Sequence, residues 1–422
     1  MAAFERQTLP NGLRVLTATV PQAQSVSCFV MLSAGSRFET RETSGIAHFA
    51  EHMFFKGTER RPTARQIAGE VDAIGGEFNA FTSKEYTGYY VRCAAEHRDV
   101  ALDVIVDMLR NSKFDAGEIE REKGVIIEEM NMYYDTPRDF IDGVYEELVY
   151  GDHPLGWDII GRKETVQGAT RETFMDYLGQ WYKPSRMVVG VGGGTGDGVL
   201  ERIEELFGGL EDGPTGSPLA AEPTPNGSRV RVHTKASDQA HICLGVRSRP
   251  IVDPDRYVLM VLATVLGGGM SSRLFTEVRE RRGLAYYVFA TNHSYTDAGS
   301  LYAQAGVDIE RIDEAVGTVA AELKQIAAES VPADELRKAK NFAKGRFVLQ
   351  IESPHGLITF GLRREVLEGR AAEPDEILAG LEAVTAEDVQ RVAQELIDDQ
   401  ALRLAVIGPF EDPARFEQLL TA

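Results

Sequence analysis

The chain reads as one unit written twice, and that repeat constrains its fold more than any single motif. Tyr89 and Tyr302 are 213 residues apart, as are Arg98 and Arg311, and helical patterns rich in Glu and Arg continue beyond each. The elements around these points come in the same order in both halves. Ser25 to Leu32 (SVSCFVML) predicts a buried strand, followed by a polar turn and a helix around His48. Residues 76–92 alternate as a hairpin, and two helices follow from 95 to 134. In the second half the strand is 241–246, the helix 257–266, the hairpin 284–304, and the two helices span 309–350. Duplication at so long a period predicts two copies of one α+β unit, each a mixed or antiparallel sheet flanked by helices.

Residues 211–227 (EDGPTGSPLAAEPTPNG), with four prolines and three glycines, read as a solvated connector. The expected domains are therefore 1–210 and 228–422. A chain of 422 residues also exceeds one ordinary core. Hydrophobic content of 43% and charged content of 26% are those of a soluble globular protein. No run approaches the roughly 20 apolar residues that span a bilayer, so no membrane insertion is expected. The start, MAAFERQTLPNGLRV, has no apolar signal core, and its first residue is a methionine; cytoplasmic residence is the expectation.

The formal charge of −20 excludes a generic nucleic-acid binder, because phosphate contact needs a basic face. Acidic charge confers solubility and, where it lines a cavity, favours cationic peptides. Cys28, Cys93 and Cys243 are widely separated, odd in number and set among apolar residues, so they are expected as reduced core thiols.

Chemistry concentrates at His48-Phe49-Ala50-Glu51-His52. On a helix, positions 48 and 52 share a face one turn apart, so both imidazoles reach one metal ion. The order H-x-x-E-H is the signature of inverted zinc peptidases, with Glu51 placed as general base. Two surface histidines beside a glutamate are the competing reading of these five residues. Two histidines do not hold zinc alone, so a third protein ligand is required, and the helix 118–132 (EIEREKGVIIEEMNM) is the best region for it. There Glu122 and Glu129 share a face two turns apart, and Glu128 points about 100° away. The matching position of the second half, YVLMVLATVLGG (257–268), carries no ligands.

Other patterns fail. VVGVGGGTGDG (188–198) does not satisfy G-x-G-x-x-G and is expected to form a turn after a strand. Gly267 to Gly269 end a helix without the lysine of a phosphate loop, and no G-x-S-x-G is present. His153 precedes a proline in a loop, with no ligand at suitable spacing.

Five stretches carry a resemblance: GIAHFAEHMFFKGT (45–58), GGEFNAFTSKEYTGYY (75–90), EREKGVIIEEMNMYYDTP (120–137), HPLGWDIIG (153–161) and GGGMSSRLFTEVRERRGLAYYV (267–288). Through them the whole chain resembles the pitrilysin-type (inverzincin, M16) zinc peptidases, nearest to the mitochondrial-processing-peptidase-like branch of two-domain subunits. The resemblance implies one zinc per chain, held by His48, His52 and Glu129, with Glu122 orienting a ligand from behind. It implies metalloendopeptidase chemistry in which Glu51 takes a proton from the activated water and hands it to the leaving amine. Arg279 and Tyr286 match the family's pair that contacts substrate: Tyr286 stabilises the oxyanion, and Arg279 binds substrate carbonyl groups. Asn79, Ala80 and Phe81 match the strand to which an extended peptide adds. Two such subunits close around a chamber, so a homodimer with the arginine-tyrosine pair acting in trans, or a heterodimer with a homologous subunit, is implied. Non-catalytic assembly subunits of the same fold, and a metal-binding regulator without turnover, are the alternatives.

Overall fold

The computed structural model describes residues 3–222 and 227–421; positions 223–226 of the expected connector lie outside the described residues. Its strands form two sheets. The first contains β1 (Glu5–Thr8), β2 (Arg14–Thr19), β3 (Ser25–Leu32), β4 (Glu77–Thr82), β5 (Thr87–Ala94) and β6 (Met187–Gly193), in the order β1-β2-β6-β3-β5-β4. The second contains β7 (Val230–Thr234), β8 (Ala240–Ser248), β9 (Ala285–Ser294), β10 (Gly299–Val307) and β11 (Arg403–Gly408), in the order β7-β11-β8-β10-β9.

Apart from β1, the sheets match strand for strand. The β2–β6 and β7–β11 pairs are parallel, and the remaining pairs in each are antiparallel. The expected duplicated α+β architecture is therefore present.

The helices that position the site and cover the sheets are α1 (Ile46–Phe54), α2 (Ala64–Ala73), α3 (Arg98–Asn111), α4 (Ala116–Asp135), α5 (Pro137–Tyr150), α6 (Lys163–Gly168), α7 (Arg171–Trp181), α8 (Val199–Phe207), α9 (Arg256–Gly267), α10 (Ile312–Ala328), α11 (Ala333–Ile351) and α12 (Pro354–Glu368). Packing divides the chain into two compact units, and neither is continuous in sequence. One comprises residues 1–130, 157–219 and 348–374; the other comprises 131–156, 220–347 and 375–422. The expected cut at 211–227 coincides with one crossing, but α5 and α12 each belong with the sheet of the opposite half.

Side-chain alternation explains the exchange. In β3, Phe29 and Met31 pack with Leu16, Val188, Ile358 and Leu362, so α12 covers this side of the first sheet. The thiol of Cys28, on the opposite face of the strand, reaches toward the Arg98 carbonyl at the start of α3. A strand covered on both faces needs a near-continuous apolar run, which Cys28 to Leu32 (CFVML) supplies. In the second unit Ile141, Val144 and Tyr145 of α5 pack with Cys243, Ala405 and Ile407.

The glycine-rich stretch departs from expectation. Only residues after Gly193 turn; 188–193 form the buried strand β6. A Cβ at Gly190 would lie 2.5 Å from Leu362 Cδ1, and one at Gly192 would lie 2.6 Å from Ile358 Cβ. These glycines let α12 approach the sheet closely.

Cys28, Cys93 and Cys243 are free and buried. Among the described residues no helix is long and apolar enough to cross a membrane.

Candidate metal centre

Helix α1 buries Ile46, Ala47, Phe49, Ala50, Met53 and Phe54. Phe49 stands edge-on to Phe174 and Phe54 edge-on to Tyr89, with ring centroids 4.9 Å and 5.2 Å apart. That apolar anchoring leaves His48, Glu51 and His52 on the less buried side. Helix α4 buries Ile119, Glu122, Ile126 and Met130, and the seven-residue step from Glu122 brings Glu129 to the histidines. Glu128 is exposed.

One nitrogen from each of His48 and His52 and one oxygen of Glu129 lie within 4.8 Å of one another. His48 Nε2 is 3.7 Å from Glu129 Oε1, and His52 Nε2 is 3.5 Å from Glu129 Oε2. Ligands tetrahedrally placed about 2.0–2.1 Å from zinc are about 3.3 Å apart, so this nitrogen–nitrogen–oxygen set fits the ion and leaves a fourth position open. The protonation states fit as well. Burial, with a smaller contribution from His52, pushes the His48 imidazole down to about 3, so its ring is neutral and keeps a lone pair for a metal.

His52 Nδ1 is 2.9 Å from Glu122 Oε1, and Lys56 Nζ is 2.5 Å from Glu122 Oε2. Burial works to raise the Glu122 carboxyl, but the bonds from His52 and Lys56 outweigh it and hold it below the usual range. An ionised Glu122 accepts the Nδ1–H and leaves the Nε2 lone pair available to a metal.

Glu51 stands outside the three-ligand set. Its Oε2 accepts a 2.5 Å hydrogen bond from Thr82 Oγ1 at the end of β4. Burial raises the Glu51 carboxyl, and the Thr82 bond opposes that rise. A carboxylate so placed has one oxygen held and the other available for proton transfer.

Asn79, Ala80 and Phe81 lie in β4, which among the described residues is an edge strand paired only with β5. The Ala80 N–H is met by the Asn79 side-chain oxygen at 2.8 Å. Arg279 lies in a π-helical turn, Phe275–Arg281, and its guanidinium stands 4.7 Å from the Phe275 ring centroid and 5.6 Å from that of Tyr286. Tyr286, at the start of β9, is 75% exposed, leaving its phenol open to a partner. The three candidate ligands thus lie together in one unit, and the arginine-tyrosine pair lies in the other. His153 is buried in a local turn, its Nδ1 accepting from the Leu155 N–H at 3.1 Å.

Thr82 and Lys56 were not anticipated. Lys56 lies four residues beyond His52 and just past the end of α1, close enough in sequence to return to its base; Thr82 has no local signal, because its contact depends on β4 packing against α1.

Comparison with known proteins places this duplicated α+β fold and donor set among peptidases. Residues 14–163 match the family model described as Insulinase (Peptidase family M16), and residues 168–342 match Peptidase M16 inactive domain. The chain belongs to peptidase family M16. It is 38% identical over 406 residues to a Bacillus subtilis protein named zinc protease YmxG, covering 96% of this chain and 98% of that one. A Streptomyces coelicolor protein named as a zinc protease is 35% identical over 420 residues, with 98% and 91% covered. The probable mitochondrial-processing peptidase subunit beta of Arabidopsis thaliana is 34% identical over 426 residues, with 96% and 78% covered. The fold also matches the crystal structure of a Helicobacter pylori protease, with a TM-score of 0.90 at 24% identity over 97% of this chain and 100% of that one.

Proposed function

We propose that the chain is a zinc-dependent endopeptidase that cuts extended, unfolded peptides within a chamber formed by two copies. The convergence of His48, His52 and Glu129 carries this reading. It accords with the zinc protease names of the relatives. The stretch that matches the inactive-domain model, residues 168–342, includes α9, which carries no metal ligands.

Zinc held by these three residues would supply Lewis acidity, polarising an oxygen and making water acidic near neutral pH. Glu51 receives the proton and returns it to the leaving amine. The free edge of β4 pairs with the substrate backbone through Asn79, Ala80 and Phe81, a mode that demands little of substrate sequence. Tyr286 donates to the developing oxyanion, and Arg279 holds a substrate carbonyl; both come from the second copy.

Cleavage of an internally quenched unstructured peptide tests the activity. It is expected to disappear on chelation and in Glu51→Gln, and an inert zinc-loaded wild-type chain would overturn the reading. Mixing Glu51→Gln chains with Tyr286→Phe chains is expected to restore activity that neither has alone; no recovery would rule out sharing between copies.

A further inference from the structure

Helix α1 carries both histidines and Glu51, yet its N-cap, Gly45, offers no side chain to the first-turn amides. Their acceptor comes from six residues upstream. The Glu39 side chain, 6% exposed, accepts from Gly45 N–H through Oε2 and from Ala47 N–H through Oε1, both at 2.8 Å. We propose that Glu39 is a positioning residue for the metal centre: its carboxyl sets the start of α1 and through it the place of His48.

Three observations converge on that role. Ala47, one of the two donors, immediately precedes His48. A helix of nine residues has few backbone bonds of its own, so its direction depends on how its ends are held. The start of α1 is also fixed from a second side. Gly45 adopts φ +95°, and a Cβ there would lie 2.8 Å from the Ile160 carbonyl oxygen, while Thr165 Oγ1 donates to the Ser44 carbonyl at 2.5 Å.

The two histidines differ in what else holds them. His52 is oriented by Glu122, whereas the buried Nδ1 of His48 has no hydrogen-bond partner among the described residues. The His48 ring therefore follows the backbone beneath it. Without Glu39 two buried amides lose their acceptor, and the turn bearing His48 can relax from the geometry that completes the ligand triangle.

The inference rests on His48 and His52 being zinc ligands, and the experiment separates the two ideas. Zinc affinity of the full chain is measured by chelator competition at about pH 9, above the value of about 8 to which burial raises Glu39, so that the wild-type side chain is ionised. Circular dichroism and melting temperature are recorded alongside. Glu39→Gln keeps the shape but presents an amide nitrogen to one of the two donors, and is expected to weaken zinc binding roughly 10-fold, the scale of supporting-residue effects at metal sites. Glu39→Ala should weaken it further, and in both variants kcat should fall with KM within twofold of wild type.

A lower melting temperature with zinc affinity within twofold of wild type in Glu39→Gln would overturn the proposal and leave Glu39 a purely structural cap. Absence of zinc binding by the wild-type chain would instead overturn the ligand reading beneath it. The isosteric variant decides the outcome if Glu39→Ala does not fold.

Discussion

Glu122 bridges an imidazole and a cation: its Oε1 is 2.9 Å from Nδ1 of His52, a proposed metal ligand, and its Oε2 is 2.5 Å from Lys56 Nζ. One carboxylate thereby chooses the tautomer of His52 and is itself kept ionised by its bonds with His52 and Lys56. Glu122→Gln is predicted to weaken zinc binding by roughly 10–100-fold. Lys56→Met should produce a smaller loss of the same kind. Chelator competition measures both, and unchanged affinity in Glu122→Gln would show that His52 needs no such support.

The bond from Thr82 ties Glu51, the proposed general base, to the last residue of β4. Hydrogen bonds to charged groups are worth about 1.5–3 kcal/mol, which corresponds to roughly 10–100-fold in rate if the bond is fully used at the transition state. Thr82→Val is predicted to lower kcat on that order with little change in KM, and Thr82→Ser to retain most of it. Steady-state kinetics on a quenched peptide distinguish this from a defect of the β4 edge, which would raise KM instead.

Glu39 carries a pH signature in stability. Burial is the largest influence and raises it from 4.5 to about 8; the Ala47 and Gly45 amides and the charge of Lys84 pull the other way, and Tyr177 is a buried neighbour. The folded chain therefore keeps a proton that the unfolded chain has released. This contribution is fully present below pH 4.5 and is lost as pH rises through about 8. Denaturant unfolding of metal-free protein should show a wild-type stability that declines more steeply between these values than that of Glu39→Gln. Parallel profiles for the two would contradict a raised Glu39.

Gly192 faces Ile358 so closely that a Cβ would lie 2.6 Å from Ile358 Cβ and 2.8 Å from the Pro354 carbonyl oxygen. Neither neighbour is the flexible end of a side chain. Gly192→Ala is predicted to destabilise the protein by about 1–3 kcal/mol, read as a lower melting temperature with the metal-ligand residues untouched.

Much of this molecule is legible in its residues because the deciding forces are local and periodic. The spacing of His48 and His52, the shared phase of Glu122 and Glu129, and the alternation of both hairpins each follow from the geometry of one element. The parts that escaped are set by contacts distant in sequence. The glycines at 190 and 192 look like turn formers until a helix more than 160 residues later is seen against them. Glu39 looks like one more acidic residue until its oxygens meet the amides of Gly45 and Ala47. Nor does residue order show that α5 and α12 change places.

That exchange has a consequence for how the protein is made. During synthesis the first sheet has all its strands once Gly193 has left the ribosome, but Phe29, Met31 and Val188 keep an uncovered apolar face until Pro354–Glu368 follows. The nascent N-terminal half must wait, sticky and unfinished, for most of the remaining translation. A chain ended in the connector would therefore lack the helix that covers its first sheet.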